Sequence, residues 1–87
     1  MISKLVIKGE ERVEAKNLTK LTQKASRFKS LISIEKHERK ANGKSLMGLL
    51  SLAIKGGDSI SIIVEGADES EAIEALTKFV NNNFNDN

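Results

Sequence analysis

The sequence predicts an α+β fold of two layers, a four-stranded antiparallel sheet with three helices packed on one face. Four segments alternate apolar and polar residues with the period of a half-buried strand. Three others carry apolar residues three and four positions apart, the spacing of a helix with one buried stripe. They succeed one another as β-α-β-β-α-β-α. Each strand offers the core one apolar face and each helix one apolar stripe, so a single sheet face takes all the helices.

The first strand is Ile2 to Lys8, with Leu5 and Ile7 turned to the same side, and Gly9 to Arg12 form a polar loop. A helix is predicted over residues 16–28, where Leu18, Leu21, Ala25 and Phe28 form one stripe and Lys16, Lys20, Lys24 and Arg27 a neighbouring basic one. Leu31 to Lys36 is the second strand, with Ile32 and Ile34 inward. His37 to Asn42 is a turn and a short charged edge strand. The second helix starts from Ser45 and is predicted to stop near Lys55-Gly56-Gly57, glycines being the usual helix stop. Ser59 to Glu65 is the clearest strand, with Ile60, Ile62 and Val64 inward. The last helix opens on Asp68-x-x-Glu71, a capping-box pattern, and carries Ala72, Ala75, Leu76, Phe79 and Val80 on one stripe. The Asn-rich tail, residues 81–87, is expected to fray.

With 87 residues the chain is read as one domain, residues 1–87, near the lower end of comfortable size. There is no cysteine, so neither a disulfide framework nor a thiolate metal site is available. No run approaches the roughly 18 apolar residues of a membrane span, and a cytoplasmic, soluble protein is expected. The net charge of +2 is unevenly spread. Residues 1–44 hold 12 Lys and Arg against 5 Asp and Glu, and residues 45–87 hold 2 against 7. The first half therefore presents a basic surface suited to an acidic partner or a nucleic acid.

Lys44-Ser-Leu-Met-Gly-Leu-Leu-Ser-Leu52 stands out within this frame. Ser45 is a favoured N-cap, its hydroxyl accepting from a backbone N–H two or three residues on. Leu49, Leu52 and Ala53 fit one buried face, which turns Leu46, Met47 and Leu50 towards solvent as a candidate docking patch. A phosphate on Ser45 would meet the first-turn N–H groups and the Lys44 cation.

The string Asn42-Gly-Lys-Ser-Leu-Met-Gly-Leu-Leu-Ser-Leu52 closely resembles the regulatory-serine segment of HPr, the small phosphocarrier family of the bacterial sugar phosphotransferase system. The resemblance runs nearly end to end. Gln23 to Phe28 is similar to the end of the family's first helix, and Glu65 to Ala72 to the start of its last. It implies the HPr-like open-faced β-sandwich, with strands 1 and 4 adjacent near the middle of the sheet. It also implies that Ser45 is a site for HPr kinase/phosphorylase, and that the phosphorylated form binds a catabolite control protein A-type repressor. Lys16, Lys20, Lys44, Leu46, Met47 and Leu50 would form the binding surface. The resemblance adds enzyme I as a contact, without phosphotransfer.

The family's phosphoacceptor motif, Gly-Ile/Leu-His-Ala-Arg-Pro-Ala, falls on Arg12-Val-Glu-Ala-Lys-Asn-Leu18. Glu14 stands at the histidine position, Lys16 at the arginine position and Asn17 at the proline position. A carboxylate is a poor nucleophile here, and its mixed anhydride with phosphate would hydrolyse readily. Lysine replaces a bidentate phosphate fork with a point charge. The resemblance is therefore to the Crh (catabolite-repression HPr) type, which lacks the active-site histidine, although that type has glutamine at this position and keeps the Ala-Arg-Pro. His37, the only histidine, lies in a polar turn and offers no substitute. Glu14 carries one negative charge without a donor, either imitating a phosphohistidine or merely favouring the helix dipole. No enzyme, metal or cofactor chemistry is expected. A phosphocarrier is the alternative function and a nucleic-acid binder the remoter one, since no stacking aromatic accompanies the basic stripe on its helix.

Overall fold

The computed structural model describes residues 1–86. It contains β1 (Ile2–Val6), α1 (Ala15–Ala25), β2 (Leu31–Lys36), β3 (Arg39–Asn42), α2 (Leu46–Ser51), β4 (Ser59–Glu65) and α3 (Glu69–Asn81), in the predicted order. The strands form one antiparallel sheet ordered β1-β4-β2-β3. Strands β1 and β4 are neighbours as expected, but β1 is an edge and the centre belongs to β4 and β2. The reason lies in β4, whose three inward residues Ile60, Ile62 and Val64 are buried between inward residues of both neighbours. Leu5 stands opposite Ile60, Ile34 opposite Ile62 and Ile32 opposite Val64.

Against that face pack Leu18, Leu21 and Ala25 of α1, Leu49 of α2, and Ala72, Leu76, Phe79 and Val80 of α3, all buried. Each such leucine or isoleucine contributes about 1.5–3 kcal/mol relative to exposure, so this interleaved layer is the main stabilising element. Among the described residues no helix is long and apolar enough to cross a membrane.

Strand β1 stops at Val6 rather than Lys8, and other element ends also depart from the sequence reading. Helix α1 stops at Ala25, and Arg27 and Phe28 donate to carbonyls only three residues back, which tightens the chain into a turn. That turn delivers the N–H groups of Lys29 and Ser30 to the Asp68 carboxylate, at 2.9 and 3.0 Å. Asp68 is thereby drawn away from the predicted capping box. It sits at the N-cap position of α3 but makes no side-chain cap, and Glu69 instead reaches back to the Gly66 N–H at 3.1 Å. The Ser30 hydroxyl also donates to Asp68, and with the Lys29 N–H it holds that carboxyl below the usual carboxylate range.

Helix α2 is a turn and a half and ends well before Gly56-Gly57. Ala53 bends into the left-handed region, φ 50°, and is not part of a buried helical face. The bend drops Ile54 into the core and presents the Ala53 carbonyl to Lys36 Nζ at 2.8 Å. Gly56 has another task. It lies so close to the loop after β1 that a Cβ would sit 2.1 Å from the Gly9 carbonyl carbon and oxygen.

The tail does not fray over its described part. Phe84 is buried, meets the Phe79 ring edge to face at 5.9 Å between centroids, and donates its N–H to the Phe79 carbonyl at 2.9 Å. One aromatic ring in a polar segment anchors it; Asn87 lies outside the described residues.

Candidate functional site

Ser45 caps α2 as its residue type requires. Its hydroxyl oxygen accepts from the Gly48 N–H at 3.1 Å, and its carbonyl accepts from the Leu49 N–H at 3.0 Å. The preceding residues pin it. Asn42 accepts the Lys44 N–H on its side chain at 2.8 Å and the Ser45 N–H on its carbonyl at 3.0 Å. Gly43 donates to the Ile32 carbonyl at 2.8 Å, in a space where a Cβ would lie 2.6 Å from Ile32 Cγ2. The serine is thus locked to β2, and it is partly accessible.

Lys44 is not poised beside that hydroxyl. Its ammonium donates to the Phe28 carbonyl at 2.6 Å, satisfying an acceptor in the turn after α1. The expected apolar patch is smaller than the sequence implied. Met47 is 79 % exposed and Leu50 39 %, whereas Leu46 is half-buried and packs against the core.

Glu14 occupies the N-cap position of α1, and its carbonyl accepts from the N–H groups of Asn17 and Leu18 at 3.0 and 3.2 Å. Its carboxylate makes no cap; it lies 3.4 Å from Lys16 Nζ, both side chains being well exposed. An exposed pair of this kind contributes about 0–1 kcal/mol, so Glu14 is held in place by its backbone rather than its charge. That backbone is firmly set. Val13 donates to the Ile54 carbonyl and Gly56 donates to the Glu11 carbonyl, each at 2.9 Å, zipping the loop before α1 to the chain after α2. His37 is exposed in the β2–β3 turn with φ 57°.

The basic stripe divides. Lys16, Lys20 and Arg27 are exposed, but Lys24 pairs with Asp86 and lies over the Phe79 ring, 5.1 Å from its centroid. The tail runs close to the site, its Asn83 and Phe84 lining a groove together with Val13, Glu14 and Asn17. Sequence reasoning missed this contribution; the available signal was Phe84, a lone aromatic among asparagines. Among the described residues no group of three or more His, Asp or Glu comes together to hold a metal.

Comparison with known proteins agrees with this geometry. The family model described as the PTS HPr component phosphorylation site matches residues 2–82. The HPr-like protein Crh of Halalkalibacterium halodurans is 47 % identical over 81 residues, covering 92 % of this chain and 96 % of its own. The phosphocarrier protein HPr of Neisseria meningitidis is 44 % identical over 72 residues, covering 83 % of this chain and 81 % of its own. Among solved structures, an HPr from Thermoanaerobacter tengcongensis superposes with a TM-score of 0.90 at 36 % identity, covering 97 % of this chain and 94 % of that one. With the match to the family model, the identity of these relatives and the shared sheet and helices all in agreement, the chain belongs to the HPr family of the phosphotransferase system, and Crh-type proteins are among its relatives.

Proposed function

We propose that this protein is a regulatory HPr-like protein of carbon catabolite repression, switched by phosphorylation of Ser45 and unable to carry phosphate on histidine. The observation that carries the reading is the pairing of an intact, accessible serine cap with a carboxylate at the N-cap of α1. The only imidazole, that of His37, lies in the turn between β2 and β3. A phosphate on Ser45 would replace the hydroxyl acceptor now serving Gly48 and add about two negative charges beside Met47 and Leu50. Lys44 would then leave the Phe28 carbonyl for the phosphate, a stronger, charge-assisted partner. The partners are HPr kinase/phosphorylase and a catabolite control protein A-type repressor, docking on Lys16, Lys20, Lys44, Met47 and Leu50 with Leu46 beneath. The protein acts in the cytoplasm as a single domain and is not itself an enzyme.

Two labelling reactions test this. HPr kinase/phosphorylase with ATP should place one phosphate on the wild type and none on Ser45→Ala. Enzyme I with labelled phosphoenolpyruvate should place no acid-labile phosphate on the wild type. Efficient transfer from enzyme I would overturn the proposal in favour of a phosphocarrier, the function named for the Neisseria relative.

A further inference from the structure

The described part of the C-terminal segment is a strap with a bent hinge, an apolar anchor and a charged clasp. The hinge is Asn83-Phe84, two consecutive non-glycine residues in the left-handed region, φ 55° and 62°. Asparagine tolerates that conformation, but phenylalanine does so only when something offsets the strain. Here the offset is the burial of the Phe84 ring against Phe79. The bend carries the chain back along α1, where Asn85 and Asp86 line a groove with Lys20, Gln23 and Arg27. The clasp is Asp86 on Lys24, whose ammonium also sits over the Phe79 ring. Lys24 keeps only 18 % of its side-chain surface exposed, in contrast to its exposed neighbours on the same stripe.

We propose that this strap is a built-in competitor for the basic face of α1: Asp86 occupies Lys24 and withholds it from acidic partners, which must displace the clasp to engage the full stripe. The chemistry of such a partner is a run of carboxylates, because the strap itself answers the stripe with one. Lys24, Lys20 and Arg27 all draw the Asp86 carboxyl below its usual range, as an anionic ligand of this surface should be. The strap needs no phosphorylation of Ser45, so its test stands apart from that proposal.

An octaglutamate peptide serves as the probe, titrated into wild type, Asp86→Asn, Lys24→Gln and the double variant at low salt. Opening the clasp should tighten binding by about threefold when Lys24 is present, and much less when it is absent, the coupling that a double-mutant cycle isolates. Lys24 should also be acetylated by acetic anhydride more slowly than Lys20 in the wild type and at a similar rate in Asp86→Asn. Equal tightening in both backgrounds would mean that Asp86 acts only through net charge, and would overturn the proposal. So would an unchanged affinity, or an acetylation rate at Lys24 indifferent to Asp86.

Discussion

Replacing Asp58 by asparagine should lower stability by about 1–2 kcal/mol at neutral pH, and by nothing in strong acid. Asp58 accepts from Lys36 Nζ at 2.8 Å and from the Lys55 N–H at 2.9 Å, and the side chains of the ion pair are only 12–13 % exposed. Lys36 also donates to the Ala53 carbonyl at 2.8 Å, so the two residues clamp the segment after α2 to the end of β2. An exposed pair would be worth less than this and a fully buried one with a partner removed about 3–5 kcal/mol. Asparagine keeps the shape and one acceptor, which places the cost between those limits. At about 4–8 °C per kcal/mol for a domain of this size, the midpoint of thermal unfolding should fall by roughly 4–16 °C.

The pH dependence has a definite sign. The hydrogen bond from Lys36, then that from the Lys55 N–H, lowers the Asp58 carboxyl below its ordinary 3.8. A depressed folded value means that the contribution is present above the unfolded value, near 3.9, and is lost as pH falls through the folded one. Melting curves of wild type and Asp58→Asn should therefore be well separated at pH 7, converge below about pH 4, and coincide once the carboxylate is protonated in both states. The lowered Asp68 and Asp86 groups are common to both proteins and cancel in the difference. Hydrogen exchange adds a local readout, since the Val13 N–H rests on the Ile54 carbonyl inside the clamped segment and should exchange faster in the variant. Equal melting curves at pH 7, or a gap that survives unchanged at pH 2, would refute the reasoning.

Two further substitutions probe the site. Met47→Glu should change stability by no more than about 0.5 kcal/mol, because the side chain is 79 % exposed. The same change should weaken binding of the kinase or repressor by about 1–3 kcal/mol, measured by calorimetry, if the residue anchors the interface. Gly56→Ala should destabilise by about 3 kcal/mol in urea unfolding, since its new methyl group meets the Gly9 backbone, which has no flexible side-chain end to yield.

The order of elements and the inward set of the sheet were readable from residue spacing alone, because a period of two or of 3.6 reports directly which side of an element meets the core. Leu5, Ile32, Ile34, Ile60, Ile62 and Val64 are all buried as their alternation requires. The Ser45 cap was legible for the same kind of reason, being a bond between residues three apart in the chain. Family membership was legible too, from the agreement around Ser45 and along both flanking helices. Contacts between residues far apart in the chain were not readable in this way. Asp68 abandons its local cap because Lys29 and Ser30 offer three donors to its carboxylate. Lys44 turns from its neighbour Ser45 to the Phe28 carbonyl, and Lys24 is taken from the solvated stripe by Asp86. Helix α2 ends early because Ile54 gains more from burial than Ala53 loses in a left-handed bend. Local propensity is worth tenths of a kcal/mol per residue, whereas one buried side chain or charge-assisted bond is worth about 1–3, so wherever the two compete the distant partner wins.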